Sequence, residues 1–229
     1  MDSIIFLNTL EERFNQQSNP ITAKYQKAYM RRQFEFHGLT ASARRSIQKP
    51  LFKIYYASTN KKPQELIKML WRKEEREYQY CAQDLTMTYS KQFQVEDIEL
   101  FEFMIVNKSW WDTIDFLAPK VLGEYFKLYP ENIEPKIEEW LSSNNIWLKR
   151  SCLLFQLKYK QELNTKLLSH IIYSLLDSND FFINKAIGWM LREYSKTNKE
   201  WVRHFIKTTK INKLSEKEGL KFLNKQKKN

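Results

Sequence analysis

At 229 residues the chain can bury a substantial core without a second domain, and its four glycines and six prolines are too few for the frequent tight turns of a sheet-rich protein. Lysine and arginine total 38 against 27 acidic residues, and this net charge of +11, with 15% aromatic residues interleaved, suits an anionic partner that offers phosphates to cations and flat rings to aromatics. No Gly-x-Gly pair is present, which excludes Rossmann and Walker phosphate loops, and Cys81 and Cys152 stand alone, so neither a disulfide framework nor a metal site is expected.

The N-terminus opens with Asp2, has no basic stretch and turns polar again by Asn8, unlike a signal peptide, and no apolar run approaches the ~20 residues of a membrane span. A cytosolic protein is therefore expected. Phe6, Leu7, Leu10 and Phe14 mark a first helix, which Ser18-Asn19-Pro20 stops while starting the next. The second is expected from Ile21 to Phe36, ended by His37-Gly38. Arg44 and Arg45 open a third through Ile47, Leu51, Ile54 and Tyr55; Asn60 to Pro63 reads as a turn, and Gln64 to Trp71 as a short amphipathic helix. Further helices are expected over Glu74–Tyr89 and Val95–Val106.

The next stretch, Lys108-Ser109-Trp110-Trp111-Asp112-Thr113-Ile114-Asp115, carries a capping-box pattern: Ser109 as N-cap, the two tryptophans as the first helical residues, Asp112 reaching back. Capping leaves Asp115 unexplained. Trp111 and Asp115, four apart, share a face, while Trp110, Ile114, Leu117 and Val121 form an apolar stripe. Beyond the Tyr129-Pro130 break, Ile133, Ile137 and Leu141 continue the pattern, Asn144-Asn145 caps Ile146–Tyr159, and helices over Asn164–Leu176 and Phe181–Tyr194 flank a polar joint at Asp177–Asp180. Ser215-Glu216-Lys217-Glu218 reads as a second capping box, and Lys225–Asn229 as a basic frayed end. About a dozen helices recurring in pairs every ~35 to 40 residues match helical hairpins of the HEAT type, stacked in a single domain over 1–229. The expected class is all-α, a right-handed superhelical stack of HEAT-like antiparallel helix pairs whose concave side takes an extended partner.

Three segments set cations beside aromatics at helical spacing: Trp147 with Arg150, Tyr29 with Arg32, and Lys185, Trp189 and Arg192 along one side of a helix. Taken singly, each pattern also fits a core ring under a solvated charge. Together with Arg44-Arg45, Arg76-Glu77-Tyr78-Gln79-Tyr80, the Ser-Trp-Trp-Asp-x-x-Asp block, Trp147-Leu148-Lys149-Arg150 and the Gly188-Trp189-Met190-Leu191-Arg192-Glu193 block, they resemble the ordered motifs of AlkD-type alkylpurine DNA glycosylases from about Pro20 to Leu223. Leu39 to Ala43 lacks the proline which that family usually carries before the Arg pair. The resemblance implies a helical-repeat monomer that cradles duplex DNA and removes N3- and N7-alkylated purines without turning the base into a deep pocket. It implies Asp115 as the catalytic carboxylate, Trp111 and Trp189 as lesion-side rings, Arg150 as the phosphate grip and Tyr29 as a DNA-side aromatic, with Lys149, Lys185, Arg192, Arg44 and Arg45 as further DNA-side cations.

The chemistry agrees with a single acid. An N3- or N7-alkylpurine already carries positive charge and leaves as a neutral base, so the general acid that most glycosidic cleavages need is dispensable, and one carboxylate suffices with neither metal nor cofactor. The alternative is a non-catalytic DNA-binding or protein-docking repeat. Such a scaffold has no use for Asp115, since a carboxylate facing phosphate weakens binding.

Overall fold

The computed structural model describes residues 1–58 and 63–226, and among these it is helical with no strand. The helices group into two compact units, Met1–Gln92 and Phe93–Asn229. Of the expected turn at Asn60 to Pro63, positions 60–62 lie outside the described residues, as does the end of the tail, 227–229, while Lys225 belongs to a last helix rather than to a frayed end.

In the first unit, α1 (Ser3–Gln16) starts where Asp2 accepts the Ile5 N–H at 2.8 Å and buries Phe6, Leu10 and Phe14 completely. Each such side chain contributes roughly 1.5–3 kcal/mol of transfer free energy. Asn19 caps α2 (Pro20–Tyr29), with Pro20 in the first turn, where its missing N–H costs nothing. This helix stops seven residues before the expected Phe36. Arg31 and Arg32 both take left-handed backbone (φ 54° and 60°), which no L-residue helix can carry forward, so the helix ends and the chain turns and bends until Glu35 bridges to Glu75. Gly38 then has φ 86°, and a Cβ there would sit 2.1 Å from the Asn19 carbonyl oxygen, so only glycine fits. The buried Glu77 carboxylate holds this loop by accepting the N–H groups of His37, Gly38 and Leu39 at 3.2, 2.9 and 3.0 Å. Thr40 caps α3 (Ala41–Ser58) by accepting from the Ala43 N–H. The stripe Ile47, Leu51, Tyr55 is buried as expected, whereas Ile54 is exposed. Two more helices, α4 (Gln64–Arg72) and α5 (Arg76–Thr88), complete the unit, α5 packing on both α4 and α3.

The second unit begins with α6 (Asp97–Val106). A continuous helical path follows: α7 (Trp111–Phe116), a π-helical segment Leu117–Leu122, and α8 (Gly123–Leu128). The π segment contains Pro119, whose missing N–H and ring cannot enter an α register; a wider turn absorbs it. Ile114, Leu117, Ala118, Val121 and Leu122 are fully buried against α6 and α10. Next come α9 (Ile133–Ser142), α10 (Ile146–Leu154), α11 (Thr165–Tyr173) and α12 (Phe181–Tyr194). The unit closes with α13 (Lys199–Thr208), α14 (Lys213–Gly219) and α15 (Lys221–Gln226). The side chains of Asn145, Asn164, Asp180, Asn198 and Asn212 cap α10 to α14. Helix α10 packs on α7, α9 and α12, and α12 on α14, and these contacts assemble the site.

Candidate DNA-facing site

The start of α7 differs from the capping-box expectation. Lys108 has φ 48°, and the Ser109 hydroxyl turns back to donate to the Ile105 carbonyl at 2.5 Å, so Ser109 closes α6 instead of capping α7. The N-cap is the extended Trp110 (φ −159°), without a side-chain cap, and helix begins at Trp111. Trp110 therefore leaves the apolar stripe. Its ring instead meets Trp147 of α10 at 5.7 Å and Phe182 of α12 at 5.2 Å, and those two meet at 5.0 Å, a triangle of half-buried rings joining three helices. Sequence patterning missed this cluster because its members come from three distant stretches, and Phe182 carries no local signal.

Beside the triangle, Asp115 and Arg150 face each other. Arg150 donates from Nε (3.0 Å) and Nη2 (2.7 Å) to one oxygen, Oδ1, and from Nη1 to the Phe182 carbonyl. Oδ2 accepts no hydrogen bond among the described residues, and 22% of the carboxylate side chain remains exposed, against 5% of Arg150. Burial pushes the Asp115 carboxyl above the usual range; the charge and hydrogen bonds of Arg150 pull the other way but do not cancel it, and Asp112 adds to the rise. The arrangement is a carboxylate held rigidly by one oxygen and offered by the other. Of its five N–H groups the guanidinium spends three on protein partners. Expected to be a phosphate grip, Arg150 is thus first of all the partner of Asp115.

Trp111, at the first turn of α7, and Trp189, two turns along α12 from Phe182, are both half-buried. Lys149, next to Arg150, is half-buried without an ion pair among the described residues. Lys185 and Arg192 do not simply flank Trp189 as free cations: they lie on either side of Gly188, and both reach Glu218 of α14 at 2.8 Å, where Lys221 joins them at 2.6 Å. The second expected capping box is likewise replaced. Asn212 caps α14, and Ser215 donates across to Asn184 of α12, to its carbonyl at 2.9 Å and its side chain at 3.1 Å. A Cβ on Gly188 would fall 2.5 Å from Glu218 Cβ and 2.8 Å from the Ser215 carbonyl oxygen, so the two helices touch backbone to backbone there. The interior of Glu218 disfavours charge, but hydrogen bonds from Lys185 and Lys221 outweigh it and hold the carboxyl at about 2.

In the first unit Tyr29 is 71% exposed at the end of α2. Arg44, expected on the DNA side, is instead buried: Nη1 donates to Gln48 at 3.0 Å and to Asp84 at 2.8 Å, tying α3 to α5. Its neighbour Arg45 is exposed, with Nε 3.7 Å from the same Asp84. Only one member of the pair is thus presented to solvent.

The family model of the DNA alkylation repair enzyme matches residues 10–223. The chain belongs to that family. It is similar to the solved structure of a predicted DNA alkylation repair enzyme from Enterococcus faecalis, with 36% identity and a TM-score of 0.84 over 91% of this chain and 98% of that one. No curated protein matches. As a family member the chain is an enzyme of DNA alkylation repair, with DNA as its substrate. Among the described residues no helix is long and apolar enough to cross a membrane, and no three His, Cys, Asp or Glu residues converge as metal ligands.

Proposed function

We propose that this member of the family is a DNA glycosylase of the AlkD type, built of HEAT-like helix pairs, that hydrolyses the N-glycosidic bond of N3- and N7-alkylated purines in duplex DNA. The observation that carries the reading is Asp115: a partly exposed carboxylate anchored through Oδ1 by Arg150, with Oδ2 accepting no hydrogen bond among the described residues, in a family that repairs alkylated DNA. In the reaction the C1′–N bond breaks with its electron pair passing to the purine, whose positive charge is thereby neutralised, so no proton need be donated. The sugar becomes oxocarbenium-like. The ionised Asp115 stabilises that charge and orients a water molecule whose oxygen bonds to C1′ while its proton passes to the Asp115 carboxylate, which then releases it to solvent. Trp111 and Trp189 hold the deoxyribose and contribute cation–π attraction to the charged lesion. Arg150 preorganises the carboxylate and retains two N–H donors with which to grip a phosphate. Lys149, Arg45 and Tyr29 are further contacts to the backbone.

The test is direct. Incubation with duplex containing N7-methylguanine should release the base and leave abasic sites that alkali converts to strand breaks. A protein that binds the duplex but leaves no abasic site at any enzyme excess would be a non-catalytic scaffold.

A further inference from the structure

Two of the cations that the family resemblance sets toward DNA are already engaged inside the protein. Lys185 and Arg192, one turn either side of Gly188 on α12, converge on the two oxygens of a single carboxylate: Lys185 Nζ meets Glu218 Oε1 and Arg192 Nη1 meets Oε2, each at 2.8 Å. Lys221 shares Oε1 at 2.6 Å. The carboxylate is 8% exposed, whereas Lys185 and Arg192 are 37% and 31% exposed. The anion is therefore shielded behind cations that still reach solvent. The helix carrying it cannot drift, because Gly188 leaves no room between the backbones and Ser215 is hydrogen-bonded to Asn184. Two cations bridged by a two-oxygen anion is the geometry in which the same cations would take two oxygens of a phosphate.

We propose that Glu218 is the built-in counter-anion of the α12 cationic face: it holds Lys185 and Arg192 in position for the DNA backbone and withholds one positive charge from it. The inference rests on the duplex-DNA reading above. Its consequence is a face with three cations that offers the charge of two. A repair enzyme must leave undamaged sites as readily as it meets them. Holding back one charge lowers non-specific affinity without loosening the geometry of the helix that bears Trp189.

The test is the salt dependence of binding to undamaged duplex. Each phosphate neutralised adds about 0.9 to the slope of log K against log salt, so Glu218→Gln, which restores one charge, should steepen the slope by up to about 0.9. Between 50 and 200 mM salt this is an extra loss of affinity of about 3.5-fold, with tighter binding than wild type at the low-salt end. Lys185→Gln with Arg192→Gln should make the slope shallower. A cooperatively unfolding Glu218→Gln protein with the wild-type slope would overturn the inference, since a merely structural ion pair alters melting temperature and not counterion release. Should Glu218→Gln fail to fold, the Lys185→Gln, Arg192→Gln double variant decides: a slope equal to wild type means these cations do not meet DNA, and the inference falls. Wild-type protein that binds no duplex at 50 mM salt removes the DNA reading itself. Wild-type protein that binds and excises, beside variants with unchanged slopes, removes only the role of Glu218.

Discussion

Replacing Asp115 by asparagine separates catalysis from folding, because the structure states what each oxygen does. Oδ1 accepts two hydrogen bonds from Arg150, and an asparagine carbonyl accepts the same two, so the guanidinium keeps its partners. The substitution removes charge and little else. A carboxylate about 4 Å from a developing sugar cation interacts by ~4 kcal/mol at an effective dielectric of 20. Part of that attraction is already felt by the cationic base in the ground state, and only the difference lowers the barrier. Asp115→Asn should therefore slow excision of N7-methylguanine by roughly 10²- to 10³-fold in single-turnover assays, the range for losing one preorganised electrostatic group. Duplex affinity should hold or rise, since an anion near phosphates has gone. Asp115→Ala is a different experiment: it strands a buried guanidinium and should destabilise the fold by about 3–5 kcal/mol. Asp112→Asn is the control for a first-turn acid and should cost on the order of 1 kcal/mol or less. Equal loss of activity in Asp112→Asn and Asp115→Asn, with both folded, would refute the assignment.

The remaining expectations follow from the same geometry. Because burial raises the Asp115 carboxyl, the excision rate should begin to fall with acid at a higher pH than an ordinary aspartate would give, and Arg150→Gln, removing the main influence that lowers it, should move that limb higher still. For stability the sign is opposite for the two buried acids. The raised Asp115 contributes stability only while protonated, which is lost as pH rises through its native value, so Asp115→Asn should melt no lower than wild type at neutral pH. Glu218, held at about 2, contributes stability above the ordinary value of 4.5 that disappears as pH falls toward 2, and Glu218→Gln should flatten the melting temperature across that window. Gly188→Ala places a methyl 2.5 Å from Glu218 Cβ, and overpacking on the order of 1–3 kcal/mol should lower the melting temperature by several degrees in calorimetry. Excision should run at full rate in EDTA; activity lost on chelation and restored by zinc or magnesium would overturn the one-carboxylate scheme.

The helical class was legible because it depends on short-range periodicity. The Phe6, Leu10, Phe14 stripe and the Ile114, Leu117, Val121 stripe are buried where spacing puts them. What escaped was whatever depends on partners far along the chain. The end of α2 turns on two left-handed arginines that carry no turn chemistry, and the loop after them is held by the carboxylate of Glu77, 38 to 40 residues further on. Both serine capping boxes failed in the same way. Each helix starts at a different residue, with Trp110 and Asn212 at the N-cap positions, and the serine hydroxyl donates to a carbonyl instead, Ser109 to Ile105 and Ser215 to Asn184. Asp2, Asn19, Asn145, Asn164, Asp180, Asn198 and Asn212 do cap, each with a carboxamide or carboxylate oxygen that reaches a first-turn amide, whereas Asn132 at the start of α9 does not.

The same distinction bears on the charged residues. Spacing shows which cations share a helical face but not which anion faces them from another helix. Arg44 with Asp84, Arg150 with Asp115, and Lys185 and Arg192 with Glu218 were all invisible in sequence. In each the acid lies 26 or more residues away, on a helix packed alongside. A net charge of +11 thus overstates what the protein offers to DNA at these positions, since their strongest cations are partly spent on ordering the helices. That expense has a return at Asp115. Arg150 is tied on one side to a carbonyl of α12 and on the other to the carboxylate, so the position of α12 is transmitted to Oδ1 through one rigid guanidinium. A helix packed on α14 at Gly188 and Ser215 is a firmer support for that link than a flexible loop, and it explains in physical terms why an acid on α7 can be held to the tolerance that electrostatic catalysis requires.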